Sequence, residues 1–143
     1  MSESIVPGGK YFLLNFGSNS YAGVGPVPPI YPPYPSPLRP IGHTLKEPFS
    51  LEPKQGNKYV ITHKLLRLSV GYDDEGIVRL TRQGGKEIQW VILDGYGPGR
   101  YRLKATDSER YWTMSREDGR DVIKLEGENV DSSQEWRFEK ASW

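Results

Sequence analysis

Apolar and polar residues alternate in short segments along the whole chain, and Gly, Pro, Asp, Asn and Ser separate the segments. Alternation with a period of two is typical of strands that bury one face. No window carries apolar residues at helical spacing over three turns. The pattern therefore predicts an all-β protein with twelve strands, over residues 11–15, 20–23, 40–45, 49–52, 58–63, 66–71, 77–81, 88–93, 101–104, 111–114, 122–126 and 135–139.

The strands form three groups of four, because a short motif occurs three times. A tyrosine follows a basic residue in the first strand of each group, and another aromatic residue lies in the fourth. The tyrosines are Tyr11, Tyr59 and Tyr101, and the later aromatic residues are Phe49, Trp90 and Trp136. A period of this size indicates a repeat architecture whose units complete one core together. We predict a β-trefoil in a single domain over residues 1–143, with repeats at 8–53, 54–95 and 96–143 and with the six aromatic residues at equivalent positions in the barrel core.

One segment interrupts the symmetry. Residues 26–40 lie between the second and third strands and hold eight of the twelve prolines. Proline fixes φ and has no backbone N–H, so this segment is expected to form a stiff, extended loop outside the sheet. Two interpretations stay open here. The loop is either a preorganised docking element or a low-complexity insertion that folds back over the barrel.

Charge and composition exclude several classes of function. The chain has 143 residues, with 19 basic and 18 acidic side chains interleaved, so neither nucleic acid nor a membrane is an expected partner. There is no cysteine, which excludes disulfides and thiol chemistry. The first residues lack the apolar segment of a signal peptide, so we expect a cytoplasmic protein. We expect no cofactor and no metal.

Catalytic motifs are absent from the sequence. His43 and His63 are the two histidines, and both fall in strand-like contexts without a neighbouring nucleophile motif. We therefore expect that the protein is not an enzyme.

The opening of the chain, residues 7–15 followed by 17–23, resembles the start of mushroom β-trefoil proteins. It is most similar to the fungal serine protease inhibitors related to cospin and cnispin, and less similar to the mycocypins that inhibit cysteine proteases. The resemblance implies a defensive inhibitor that inserts a rigid surface loop into the active site of a serine protease. One reactive loop of that family follows the second strand and often carries a Gly-Arg pair, where this chain has Gly23-Val24-Gly25.

Several residues are candidates for the protease-binding loop. Trypsin-like proteases accept a basic side chain, and chymotrypsin-like proteases accept a large apolar one. The candidates lie in the segment after the second strand, in the Pro-rich loop, in the loop after the fifth strand and in the turn before the tenth. They are Val24, Leu38, Arg39, Lys64, Leu65 and Arg110.

The alternative is a ricin-B-like lectin, which has the same predicted fold and binds glycans. Residues 134–136 match the Q-x-W motif of that family, and Gln134 and Asn129 are the polar candidates for a sugar site. Tyr111 and Trp112 are the candidates for an aromatic platform under a sugar ring. The motif occurs once, however, and residues 111–114 lack the acidic residue that these lectins use to bind sugar hydroxyls.

Overall fold

The structure is a computed structural model, and it describes residues 5–25, 36–82 and 87–141. Within these ranges the chain forms twelve strands and one turn of 3₁₀ helix. The strands are β1 (Gly9–Asn15), β2 (Ser20–Gly23), β3 (Arg39–Ile41), β4 (Phe49–Pro53), β5 (Lys58–His63), β6 (Leu68–Tyr72), β7 (Val78–Leu80), β8 (Gln89–Asp94), β9 (Tyr101–Ala105), β10 (Arg110–Glu117), β11 (Arg120–Gly127) and β12 (Trp136–Lys140), and the helical turn is Ser132–Gln134. The prediction of an all-β protein with twelve strands is confirmed.

Six of the strands close into a barrel. The antiparallel pairs run β1 with β4, β4 with β5, β5 with β8, β8 with β9, β9 with β12 and β12 with β1, so the circuit has no open edge. The other six strands form three hairpins, β2–β3, β6–β7 and β10–β11, one for each repeat. This is the architecture of a β-trefoil, as the sequence predicts.

In each of the three repeats, two aromatic residues are directly opposite each other on neighbouring barrel strands. The opposed residues are Tyr11 and Phe49, Tyr59 and Trp90, and Tyr101 and Trp136. Their predicted equivalence is therefore confirmed. Each pair joins the first and fourth strands of one repeat, so bulky rings enter the core from three symmetric directions.

A chain of edge-to-face indole contacts extends this core. The ring centroids of Trp90 and Trp112 are 5.2 Å apart, and those of Trp112 and Trp136 are 5.8 Å apart. The rings are nearly perpendicular, at 89° and 90°, which is a favoured arrangement of aromatic quadrupoles. All three tryptophans are fully buried.

The third strand is shorter than predicted. It ends at Ile41 rather than at residue 45, because its partner β2 has only Ser20 left beyond the pair formed by Tyr21 and Ile41. The chain then turns, and the side chain of Leu45 is 74% exposed. The extension of this strand over residues 42–45 was therefore wrong.

Candidate functional site

The Pro-rich loop joins the two strands of the β2–β3 hairpin, and both of its ends are held in place. Most of it, residues 26–35, lies outside the described residues, but both flanks are described. On the first flank the backbone N–H groups of Val24 and Gly25 donate to the carboxylate of Glu47, at 2.8 and 2.9 Å. The Nε of Arg39 donates to the carbonyl oxygen of Val24 at 2.9 Å. These bonds tie the start of the loop to two neighbouring segments.

The second flank is held by the hairpin of the next repeat. The N–H of Leu38 donates to the carbonyl of Val78 at 2.9 Å, and the N–H of Leu80 donates to the carbonyl of Ser36 at 2.9 Å. Leu38 is completely buried, and Val24 is 4% exposed. The side chains of these two predicted protease-binding residues therefore pack in the core, because the flanks of the loop are part of the cap.

Glu47 also binds a histidine beneath the surface. His63 is 1% exposed, and its Nε2 lies 2.7 Å from Oε1 of Glu47. The Nδ1 of the same ring accepts a hydrogen bond from the N–H of Leu66 at 3.1 Å. Since Nδ1 is an acceptor, the neutral ring carries its proton on Nε2 and donates it to Glu47.

The environment of Glu47 keeps its carboxylate ionised. Burial acts to raise the pKa of Glu47, but hydrogen bonds from His63 and from the N–H groups of Val24 and Gly25 outweigh that effect and hold the pKa below its ordinary value. One anion therefore accepts three hydrogen bonds and joins the base of the Pro-rich loop to the end of β5.

The turn after β5, residues 64–67, is called the Lys64 turn. Its backbone is fixed at three places. The N–H of Lys64 donates to the carbonyl of Pro48 at 3.0 Å, the N–H of Leu66 donates to the ring of His63, and the N–H of Arg67 donates to the carbonyl of His63 at 2.7 Å. Arg67 closes the turn with a left-handed φ of 59°.

Two neighbouring side chains on this turn face solvent, whereas Leu66 packs against the core. Lys64 is exposed, and Leu65 is 55% exposed. An exposed basic residue and an exposed apolar residue thus lie side by side on a backbone that the barrel holds in place. The Lys64 turn is the candidate functional site.

The other basic candidates take part in contacts within the molecule. Arg39 is exposed, but its Nε is bound to Val24 at the base of the Pro-rich loop. Arg110 is half-buried, donates from Nε to Oγ of Ser108 at 3.2 Å, and places its guanidinium 6.0 Å from the ring centroid of Tyr72. The structure does not bring either residue together with Lys64.

The aromatic residues of the predicted sugar site are buried. Trp112 is 0% exposed and Tyr111 is 5% exposed. A sugar ring stacks on an open aromatic face, so these two rings do not provide a platform on the described surface.

The polar residues of that predicted site brace the third hairpin. Gln134 is completely buried, and its Nε2 donates to the carbonyl of Gly127 at 2.7 Å and to Oγ1 of Thr113 at 3.0 Å. Its Oε1 accepts from the N–H of Asn129 at 3.1 Å. Asn129 is exposed, and its Oδ1 accepts from the N–H of Asp131 at 2.9 Å. The contacts of Gln134 are therefore those of a structural brace.

Glu47 is not among the site residues predicted from the sequence. Its position carries a signal, because Glu47 lies two residues before Phe49 just as Gln134 lies two residues before Trp136. Phe49 and Trp136 face equivalent tyrosines. Alignment of the three repeats on these aromatic residues would have identified Glu47 as the counterpart of the Q-x-W glutamine.

Among the described residues, no group of three or more His, Asp or Glu side chains is placed to hold a metal ion. No helix in this part of the chain has the length and apolar character needed to cross a membrane.

Comparison with known proteins adds information on the fold. No protein-family model matches the chain, and no curated protein matches it. A proteinase inhibitor from Coprinopsis cinerea superimposes with a TM-score of 0.77 at 9% identity, covering 95% of this chain and 99% of that one. The ricin B-like lectin of Macrolepiota procera, solved in complex with lactose, gives a TM-score of 0.72 at 11% identity over 97% of this chain and 100% of that one.

A designed protein has the same architecture. The designed threefold-symmetric protein ThreeFoil gives a TM-score of 0.73 at 16% identity, covering 92% of this chain and 99% of that one. At these identities the likeness shows a shared β-trefoil fold, which is common to an inhibitor, a lectin and a designed protein.

Proposed function

We propose that this protein inhibits a serine protease and that the Lys64 turn enters the active site of the protease. The observation that carries the proposal is the exposed pair of Lys64 and Leu65 on a turn whose backbone N–H groups donate three hydrogen bonds, to Pro48 and to the carbonyl and ring of His63. The sequence resemblance to fungal serine protease inhibitors and the fold shared with the Coprinopsis cinerea inhibitor support the proposal.

The fixed backbone is what an inhibitor needs. A flexible loop loses conformational freedom when it binds, and that loss reduces affinity. In the Lys64 turn the ordering occurs when the protein folds, through bonds to Pro48 and His63. Contacts made by the exposed side chains therefore contribute more fully to binding.

Specificity follows from the two side chains. A protease pocket with an acidic side chain at its bottom binds Lys64 through the attraction of opposite charges. An apolar pocket binds Leu65 by burying its exposed apolar surface. Lys64 directs the protein to trypsin-like proteases and Leu65 to chymotrypsin-like proteases.

A titration tests the proposed function. Trypsin, chymotrypsin, subtilisin and papain, each of known active-site concentration, are mixed with increasing amounts of the protein, and residual activity is measured. We expect activity of trypsin or chymotrypsin to fall linearly to an endpoint near one inhibitor for each enzyme. Full activity of all four proteases, together with selective binding on a glycan array, would reject the inhibitor and favour the lectin.

A further inference from the structure

We infer that His63 is a positioning residue for the Lys64 turn and that a second proton on its ring releases the turn. The inference rests on the proposed function only for its effect on protease binding. The structural part concerns the free protein and is tested separately.

The geometry makes the turn depend on the protonation of His63. In the neutral ring, Nδ1 has a lone pair that accepts the N–H of Leu66 at 3.1 Å. A doubly protonated ring has a donor at both nitrogens, so Nδ1–H would face the N–H of Leu66. Because His63 is 1% exposed, the two donors cannot both be satisfied by water unless the turn moves outward.

The first repeat has the same turn without an imidazole. Asn15 ends β1 as His63 ends β5, and its Oδ1 accepts from the N–H of Ser18, three residues later, at 3.0 Å. The next N–H, that of Phe16, donates to the carbonyl of Glu135 at 3.0 Å, as that of Lys64 donates to Pro48. The same turn is thus built once with an amide that does not titrate and once with an imidazole.

The groups that face His63 determine where the extra proton acts. Glu47 faces it from the loop before β4, Phe49 packs against it from β4 with ring centroids 5.2 Å apart, and Leu68 pairs with it from β6. Of these, Glu47 titrates, and its lowered pKa keeps it ionised in mildly acidic solution. The bond between Nε2 and Glu47 therefore survives acidification, and the change falls on Nδ1.

Amide hydrogen exchange of the free protein tests the inference. Imidazoles generally titrate between about pH 5 and 8, so exchange is measured at pH 8 and pH 5 and corrected for the intrinsic pH dependence. We expect protection of the Leu66 amide to fall about tenfold at pH 5, as loss of one hydrogen bond predicts. In the H63N variant, which copies Asn15, the protection should be independent of pH. The H43N variant removes the other histidine and should behave like the wild type.

Two results would overturn the inference. One is unchanged protection of the wild-type Leu66 amide at pH 5, a result that does not depend on the folding of any variant. The other is an equal fall in folded H63N, which would mean that a group other than His63 titrates.

The effect on the proposed site is measured as a ratio. The dissociation constants of the wild type and of H63N for trypsin are compared at each pH, so that the protease's own titration cancels. We expect wild-type binding to weaken about fivefold relative to H63N between pH 8 and 5. If trypsin binds neither protein and the protection of the wild-type Leu66 amide still falls at pH 5, the proposed function fails and the positioning role of His63 stands.

Discussion

Glu47 and Gln134 occupy equivalent positions in the first and third repeats, each two residues before the aromatic residue that faces the first-strand tyrosine. Both are braces beneath the cap. Gln134 binds the third hairpin and the loop that follows it. Glu47 holds the base of the Pro-rich loop and the ring of His63 with a charged group. One position in the repeat thus supports the surface loops in two chemically different ways.

The charge of Glu47 predicts a measurable contribution to stability. Its carboxylate accepts from three donors, whereas a glutamine places an NH₂ group against at least one of them. We expect E47Q to lower the free energy of unfolding by about 1–3 kcal/mol, the usual cost of a buried donor without an acceptor. Urea unfolding followed by tryptophan fluorescence measures the change.

The E52Q variant is the matched control, because Glu52 is 62% exposed in its side chain and forms a single surface ion pair with Lys54 at 3.5 Å. It should unfold within about 0.5 kcal/mol of the wild type. Equal stability of E47Q and E52Q would contradict the role of Glu47 as a brace.

The same carboxylate predicts a dependence of stability on pH. Because the pKa of Glu47 in the folded state lies below its ordinary value of 4.5, its contribution is fully present above pH 4.5 and is lost as the pH falls through the lowered value. The stability difference between the wild type and E47Q should therefore become smaller as the pH falls below 4.5. Urea midpoints measured from pH 5 to 3 test this, and a difference that does not fall between pH 4.5 and 3 would be evidence against it.

Replacement by phenylalanine should cost different amounts of stability at the three core tryptophans. The indole N–H of Trp90 donates to the carbonyl of Val70 at 2.9 Å, and that of Trp136 donates to the carbonyl of Trp112 at 3.1 Å. The buried N–H of Trp112 has no acceptor among the described residues. Replacement by phenylalanine should therefore destabilise W90F and W136F by about 1 kcal/mol more than W112F. Thermal unfolding of the three variants measures the order, and W112F as the least stable variant would refute the explanation.

Much of the fold could be predicted because large aromatic residues recur at equivalent positions of the three repeats. Tyr11, Tyr59 and Tyr101 mark equivalent strands, and the fourth-strand rings oppose them as expected. The end of β3 could not be predicted, since it depends on the register in which β2 and β3 pair, and the alternation in residues 42–45 continues beyond the last pair.

The site was harder to predict because burial on the hairpins does not follow the alternation. Tyr111, Trp112 and Thr113 are consecutive and all buried, so both faces of β10 are covered there. From the sequence alone, the adjacent aromatic residues Tyr111 and Trp112 of this strand were interpreted as an exposed platform for a sugar ring. The exposure of Lys64 and the burial of Leu38 likewise depend on tertiary packing. Both residues lie between strands, where the sequence has no periodicity from which burial could be predicted.

We propose that a protease binds the exposed side chains of the Lys64 turn. Inhibition constants of the wild type, K64A, L65A and the control K58A, whose exposed lysine begins β5, are measured against trypsin and chymotrypsin. We predict that K64A weakens inhibition of trypsin or L65A that of chymotrypsin at least about tenfold, as loss of a central contact does, while K58A inhibits as the wild type does. Full inhibition of both proteases by both K64A and L65A would contradict the claim.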